Sequence, residues 1–490
     1  MKLIFIIISF FPLFIYAQKK DSTKIVNPPV TTQGTVIISQ KSIPYTTRTG
    51  YLQLIDEEKK VTANVFYTAY FKSDEKEISK RPITFCFNGG PGSSSLWLHI
   101  GMMGPKRIEM TDSGYATAPP YKMISNEYSW LDLTDMVFID PVGTGFSHPI
   151  NKDDASKFYG YKNDIKAAGE FIRQFCVKNN RWGSPKFIAG ESYGTTRAAG
   201  LAHFLSEEYG MYLNGVILIA AALDFQTLRE SYDNDLPHIA NLPVFAASAF
   251  YHKRSNYDKS LTLQQFLKQA EDFAVNEYSV ALLKGNTLSI DEKQRIAGRL
   301  SYFTSLPNEY ILNNNLRIYS GRFRKELLIS SGKVIGRFDS RMIIKDMDIE
   351  NDYPAQDPSF VFIKGAFGTC INTYFINDLK FTEDLPYKII GNVHPWLFES
   401  NKYLNVMNEL ANAMEINPFM KIWIANGYFD LATSYFGTQY SINHLNLPTE
   451  LLNNISMTYY QAGHMMYLHK PSLIKIKTDA ALYYKNTLQQ

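Results

Sequence analysis

The stretch Phe187-Ile188-Ala189-Gly190-Glu191-Ser192-Tyr193-Gly194-Thr195-Thr196-Arg197-Ala198-Ala199 carries the local pattern that decides the fold. Three apolar residues run into a Gly-x-Ser-x-Gly turn, and a helix-like stretch continues to Tyr209. A strand-to-helix turn this tight admits only small flanking residues and lifts the central Ser to the top of a sheet. The five-residue pattern alone is weak, because a buried Ser in an ordinary βα turn matches it. The β-like run before it and the helix-like run after it favour a nucleophile at Ser192.

The same grammar recurs along the chain. Ile83 to Phe87 ends in Asn88-Gly89-Gly90-Pro91-Gly92, and Met136 to Ile139 ends in Asp140-Pro141-Val142-Gly143-Thr144-Gly145. Val216 to Ala222 is a further short apolar run, and Ile422 to Ala425 ends in Asn426-Gly427. Short continuous apolar runs suit strands covered on both faces. Helix-like segments lie between them, as at Tyr161 to Asn179, which predicts a mainly parallel α/β sheet flanked by helices. Sites in such sheets lie beyond the carboxyl ends of the strands, where these Gly-rich turns fall. Two β-like stretches, Tyr45 to Ile55 and Val61 to Phe71, precede this region, and residues 18–40 read as an extended tail leading into a strand. Residues 225–385 break the alternation with helix-like polar patterns and aromatics. They are expected to form an inserted, mainly helical cap, or else a separate domain, between core segments 18–224 and 386–490.

A Ser hydroxyl needs a base to take its proton. Hydrolases built on this turn supply an acid and then a His after the Ser in chain order. His464 follows the β-like run Ile455 to Tyr460 in Gln461-Ala462-Gly463-His464-Met465, whereas His469 reads as a surface residue at a helix start. Asp430 follows the Asn426-Gly427 turn. It is either the group that orients the imidazole or a helix N-cap. The developing oxyanion needs backbone donors. The Tyr193 amide is one candidate, and the Gly89-Gly90 turn supplies the other.

These blocks, together with Ser93-Ser94 and Phe146-Ser147, occur in order over residues 83–470 and resemble the serine carboxypeptidases. The resemblance implies the α/β-hydrolase fold, a helical cap and exopeptidase activity on the C-termini of peptides or proteins. It implies Ser192, Asp430 and His464 as catalytic residues, with the Gly90 and Tyr193 amides as the oxyanion hole. It further implies that Asn88, the Gly89 amide and Glu191 hold the substrate's terminal carboxylate. A Glu beside a bound carboxylate requires one of the two to be protonated. The chain departs from the better-known eukaryotic pattern at Ser93 and Thr433, where those members have Cys, and at Met102, where they have a second Glu. It looks closer to bacterial members. An esterase or acyltransferase, or a binding protein that kept the fold, is the competing reading.

Composition narrows the class. The chain has 490 residues, 45% apolar and 20% charged, as in ordinary globular proteins. The net charge of +3 is mixed along the chain, without the basic stripe that nucleic-acid binding needs. Met1-Lys2, the apolar run Leu3 to Tyr16 and Ala17-Gln18 read as a signal peptide over residues 1–17. Export to the periplasm or outside, with no membrane anchor after cleavage, is expected. Three Cys, Cys86, Cys176 and Cys370, leave at least one unpaired and form no metal-binding pattern, so neither metal nor cofactor is expected.

Overall fold

The structure, a computed structural model, describes residues 27–254 and 257–489. The expected signal peptide, residues 1–17, lies outside the described residues. The centre is a ten-stranded sheet. Its strands are β1 Val30–Ile38, β2 Lys41–Ile55, β3 Val61–Lys72, β4 Ile83–Phe87 and β5 Asp135–Ile139. They continue as β6 His148–Pro149, β7 Lys186–Glu191, β8 Gly215–Ile219, β9 Lys421–Gly427 and β10 Ile455–Tyr460. The spatial order is β1-β2-β3-β5-β4-β7-β8-β9-β10, with β6 beside β3. From β5 to β10 along this order every pairing is parallel. β1, β2 and β3 add an antiparallel flank.

The apolar runs form the central strands because both faces are covered. Every residue of β4, β5, β7 and β8 is buried. Along β8, Val216 and Leu218 enter one core while Ile217 and Ile219 enter the other, following the two-residue period of a strand. The first core receives helices α1 Tyr161–Lys178 and α2 Tyr193–Tyr209 through residues such as Phe171 and Leu201.

β1 differs from the tail expected over residues 18–40. Its Thr- and Val-rich sequence alternates in exposure and pairs with β2 as an edge strand. Polar composition hid the β-branched alternation that suits a half-exposed strand.

Between β8 and β9 the chain is mainly helical. Helices α3 Leu236–Tyr251, α4 Leu263–Phe273 and α5 Ile290–Thr304 share a core containing Phe245, Phe266 and Phe303, which continues into Phe429, Leu431 and Tyr435. Helix α6 Pro358–Asn377 behaves differently. Its Phe367, Ile371 and Tyr374 pack with Phe66, Tyr70 and Trp97 on the second face of the sheet. Helices α7 Met407–Ile416 and α8 Lys470–Leu488 complete the two faces.

A strap around residues 388–391 fastens the Gly-rich turns. The Gly391 amide donates to the Gly92 carbonyl at 2.7 Å, and Gly145 and Lys388 exchange amide bonds at 2.8 and 3.0 Å. All three cysteines are buried free thiols. Among the described residues no helix is long and apolar enough to cross a membrane.

Candidate active site

Ser192 stands between β7 and α2 with φ 59° and ψ −129°. That is a strained conformation for an L-residue, and the packing around it must hold it. Space explains the flanking glycines. A side chain at Gly194 would meet the Phe87 carbonyl at 2.5 Å, and one at Gly190 would run into the Gly194 carbonyl. Among the described residues no hydrogen bond ties the Ser192 hydroxyl. Ser192 and His464 line one cavity of about 350 Å³ above the carboxyl ends of the parallel strands.

His464 Nδ1 and Asp430 Oδ2 are 2.7 Å apart, both residues buried. Asp430 Oδ1 accepts the Ala432 and Thr433 amides at 2.7 and 3.0 Å in a local turn, and the helix that follows, Tyr435–Asn443, is capped by Ser434, so Asp430 is the imidazole partner and not a helix N-cap. Thr433 Oγ1 donates to Asp430 Oδ2 at 2.7 Å, 3.2 Å from His464 Nδ1. The residue found in place of the family's Cys thus braces the acid. Burial pushes the imidazole pKa down, but the charge of Asp430 and the hydrogen bond to it overcome this, and the net direction is upward. A neutral His464 with Nδ1–H on Asp430 leaves Nε2 as the proton acceptor. His469 is elsewhere: its Nδ1 meets Ser472 Oγ at 2.9 Å at the start of α8.

Gly89, Gly90 and Tyr193 also line the cavity. The Tyr193 amide belongs to the first turn of α2, where helix N–H groups lack intrahelical acceptors. Glu191 lines the cavity as well, whereas Asn88 is fully buried behind the lining. Asn88 Nδ2 donates to Glu191 Oε1 at 3.1 Å, and Asn88 Oδ1 accepts the Leu98 amide at 3.1 Å. Burial raises the Glu191 pKa to about 7, against the lesser opposing influence of His464, Tyr467 and Asn88. Its Oε2 and the Tyr467 hydroxyl are both buried close to each other, and neither has another hydrogen-bond partner among the described residues.

Several residues that shape the site carry no sequence motif. Arg197 Nε donates to Asp164 Oδ2 at 2.8 Å and its Nη1 to the Asn88 carbonyl at 2.9 Å, which fixes the Gly-rich turn from below. Two aromatic groups line the cavity: Trp97 and Phe338 contact Phe360, and Tyr193 contacts Phe225 next to Leu228. Around Trp97 the chain is helical over Leu96–Leu98 and runs into a π turn at His99–Met103. The wide turn leaves Met102 fully buried where the family's second Glu was expected. Asp140, in the Gly-Phe-Ser block, is structural: Oδ1 accepts the Ser95 amide at 2.8 Å, and burial lifts its pKa to about 7.

A family model described as serine carboxypeptidase matches residues 38–317. Serine carboxypeptidase-like 10 of Arabidopsis thaliana is 30% identical over 156 residues, 31% of this chain and 32% of that protein. Carboxypeptidase Y of Saccharomyces cerevisiae is 34% identical over 146 residues, 30% of this chain and 24% of its own length. The chain thus spans about a third or less of the curated relatives it matches. The crystal structure of Kex1(Δ)p, a prohormone-processing carboxypeptidase from Saccharomyces cerevisiae, covers 90% of this chain and 91% of its own, with a TM-score of 0.54 and 17% identity. That likeness speaks to the fold. The chain belongs to the serine carboxypeptidase family.

Proposed function

We propose that this member of the serine carboxypeptidase family is an exported serine-type carboxypeptidase that removes C-terminal residues from peptides or proteins. Ser192 Oγ attacks the last peptide carbonyl while His464 Nε2 takes its proton, and Asp430 stabilises the imidazolium that forms. The Gly90 and Tyr193 amides receive the oxyanion. His464 returns the proton to the departing amine, and water then releases the acyl group from Ser192. Asn88, the Gly89 amide and Glu191 bind the terminal carboxylate, with Glu191 protonated so that the two carboxyl groups share a proton. The helical segment between β8 and β9 acts as the cap. Residues 1–17 direct export, to the periplasm or outside. The expected closeness to bacterial members rests on Ser93, Met102 and Thr433, since the relatives reported above come from a plant and a yeast.

One observation carries the exopeptidase reading: a buried carboxyl, Glu191, adjoins the nucleophile in the cavity lining, with one oxygen that meets no donor other than the nearby Tyr467 hydroxyl among the described residues. An esterase has no use for such a group. The test compares an N-blocked dipeptide, its C-terminal amide and the matching ester, using the mature chain and Ser192→Ala. A carboxypeptidase cleaves the free acid far better than the amide and loses this with Ser192→Ala. Turnover of the ester alone would leave a serine esterase, and equal turnover of acid and amide would remove the carboxylate site.

A further inference from the structure

The two aromatic groups of the cavity lining meet different parts of a substrate. Asn88 holds the Leu98 amide, next to Trp97, so a terminal carboxylate on Asn88 and Glu191 sets the departing residue against Trp97 and Phe360. The penultimate residue, which becomes the acyl group, then lies on the opposite side of Ser192. Tyr193 and Arg229, which both contact Phe225 and make no ring contact with Trp97 or Phe360 among the described residues, line that part of the cavity with Phe225 and Leu228. This orientation rests on the function proposed above.

Arg229 is unusual among these residues. Its guanidinium lies over the rings of Phe225 and Phe398 at 5.7 and 5.2 Å, which restrains a long side chain at the cavity rim. Among the described residues no carboxylate pairs with it. The nearby acids are committed elsewhere. Glu230 accepts from Asn241 and the Ser320 amide, Asp224 from the Gln226 amide, and Glu399 faces Lys402. Arg337, likewise without an ion pair, lines the cavity beside Phe338. The single carboxylate in the lining is Glu191, which belongs to the terminal-carboxylate site. The adjoining trough adds Lys364 and Lys388 against Asp357, whose Oδ1 already accepts the Arg337 and Ser359 amides. A cleft lined by one sign of charge concentrates ligands of the other sign.

We propose that Arg229 makes the acyl-side pocket selective for an acidic side chain, so that preferred substrates carry Glu or Asp as the penultimate residue. Aromatic faces hold the aliphatic part of that side chain, and the guanidinium takes its carboxylate in a paired hydrogen bond. An anion is thereby supplied to a cation that folding leaves unpaired.

The test measures kcat/KM for N-blocked X-Leu dipeptides with X as Glu, Gln, Leu or Lys, and for N-blocked X methyl esters with the same four residues. The esters read the acyl side without a terminal carboxylate. The wild type is expected to prefer Glu over Gln by about two- to fivefold at low salt, the scale of an exposed ion pair, with Lys poorest. Arg229→Gln brings the Glu:Gln ratio close to one, and Arg229→Glu reverses the order of Glu and Lys. Arg337→Gln keeps the ratio. Equal rates for Glu and Gln in the wild type would overturn the proposal, as would an equal response to Arg337→Gln, which would assign the preference to the whole mouth. A Glu preference on esters with no peptide cleavage would sink the carboxypeptidase reading and leave Arg229 standing. Turnover of neither series would overturn both.

Discussion

Replacing Glu191 by Gln separates the charge of this carboxyl from its shape. Burial lifts its pKa from an ordinary 4.5 to about 7. At about 1.36 kcal/mol per pH unit, ionising it inside the protein costs roughly 3 kcal/mol more than in the unfolded chain. The sign follows from proton binding. Below about 4.5 both states are protonated and the cost is absent; between about 4.5 and about 7 the folded state binds the extra proton, and stability falls as pH rises. Above about 7 the penalty is complete. Glu191→Gln keeps the acceptor for Asn88 Nδ2 and removes the charge. Denaturant unfolding should therefore show the variant equal to the wild type at pH 4 and more stable at pH 8, by up to roughly 3 kcal/mol.

Catalysis supplies the second readout. In the mechanism proposed above the free acid of a dipeptide binds protonated Glu191, so its kcat/KM should fall as pH rises through about 7. His464 must lose its proton to act as base, and its raised pKa sets the opposing limb. A dipeptide should therefore give a bell, whereas an ester, with no terminal carboxylate, should keep only the limb set by His464. In Glu191→Gln the two profiles should coincide in shape. An unchanged alkaline limb on the free acid, together with equal stability of both proteins at pH 8, would refute the reasoning about this carboxyl.

Asp430→Asn keeps the size of the side chain but removes the charge that faces His464 Nδ1 at 2.7 Å. kcat on an ester should fall about 10⁴-fold with little change in KM, because the neutral imidazole is no longer held in the right tautomer and the imidazolium loses its charged partner. Gly101→Ala tests the packing behind Glu191. The new Cβ would sit 2.7 Å from Tyr467 Cε2 and 3.3 Å from Phe367 Cζ, in a fully buried site. Overpacking of this kind costs roughly 1–3 kcal/mol, read as a lower denaturation midpoint. A shift of Tyr467 should also displace the alkaline limb on free-acid substrates, since its hydroxyl adjoins Glu191.

Much of the sheet is legible in the chain because its cause is local. A strand buried on both faces must be short and continuously apolar, and the runs at Ile83, Met136, Phe187, Val216 and Ile422 meet that condition. The elbow is legible too, because only glycine fits beside the Phe87 and Gly194 carbonyls. The edge strand Val30–Ile38 was hidden, since a half-exposed strand of Thr and Gln resembles a polar tail until its partner is present. Helix α6 reads as part of the insertion, yet it packs on the sheet, a placement set by contacts with Phe66 and Trp97 far away in sequence.

The site divides along the same line. Sequence order and turn grammar single out Ser192, Asp430 and His464, because strand ends and glycines leave a local trace. Ser192 lies far from the other two in sequence and Asp430 and His464 lie 34 residues apart, a spacing that carries no distance, and only the folded sheet brings Asp430 and His464 to 2.7 Å. Arg197 under the Gly-rich turn, Tyr467 behind Glu191 and the unpaired Arg229 at the rim belong to no motif. Their roles arise from burial and from which charges find partners, and those are properties of the packed molecule. The chain by itself determined the elbow and the alternation of strands and helices. The tertiary structure decided the pKa of Glu191 and the charge of the mouth, because desolvation and pairing depend on every neighbour in space.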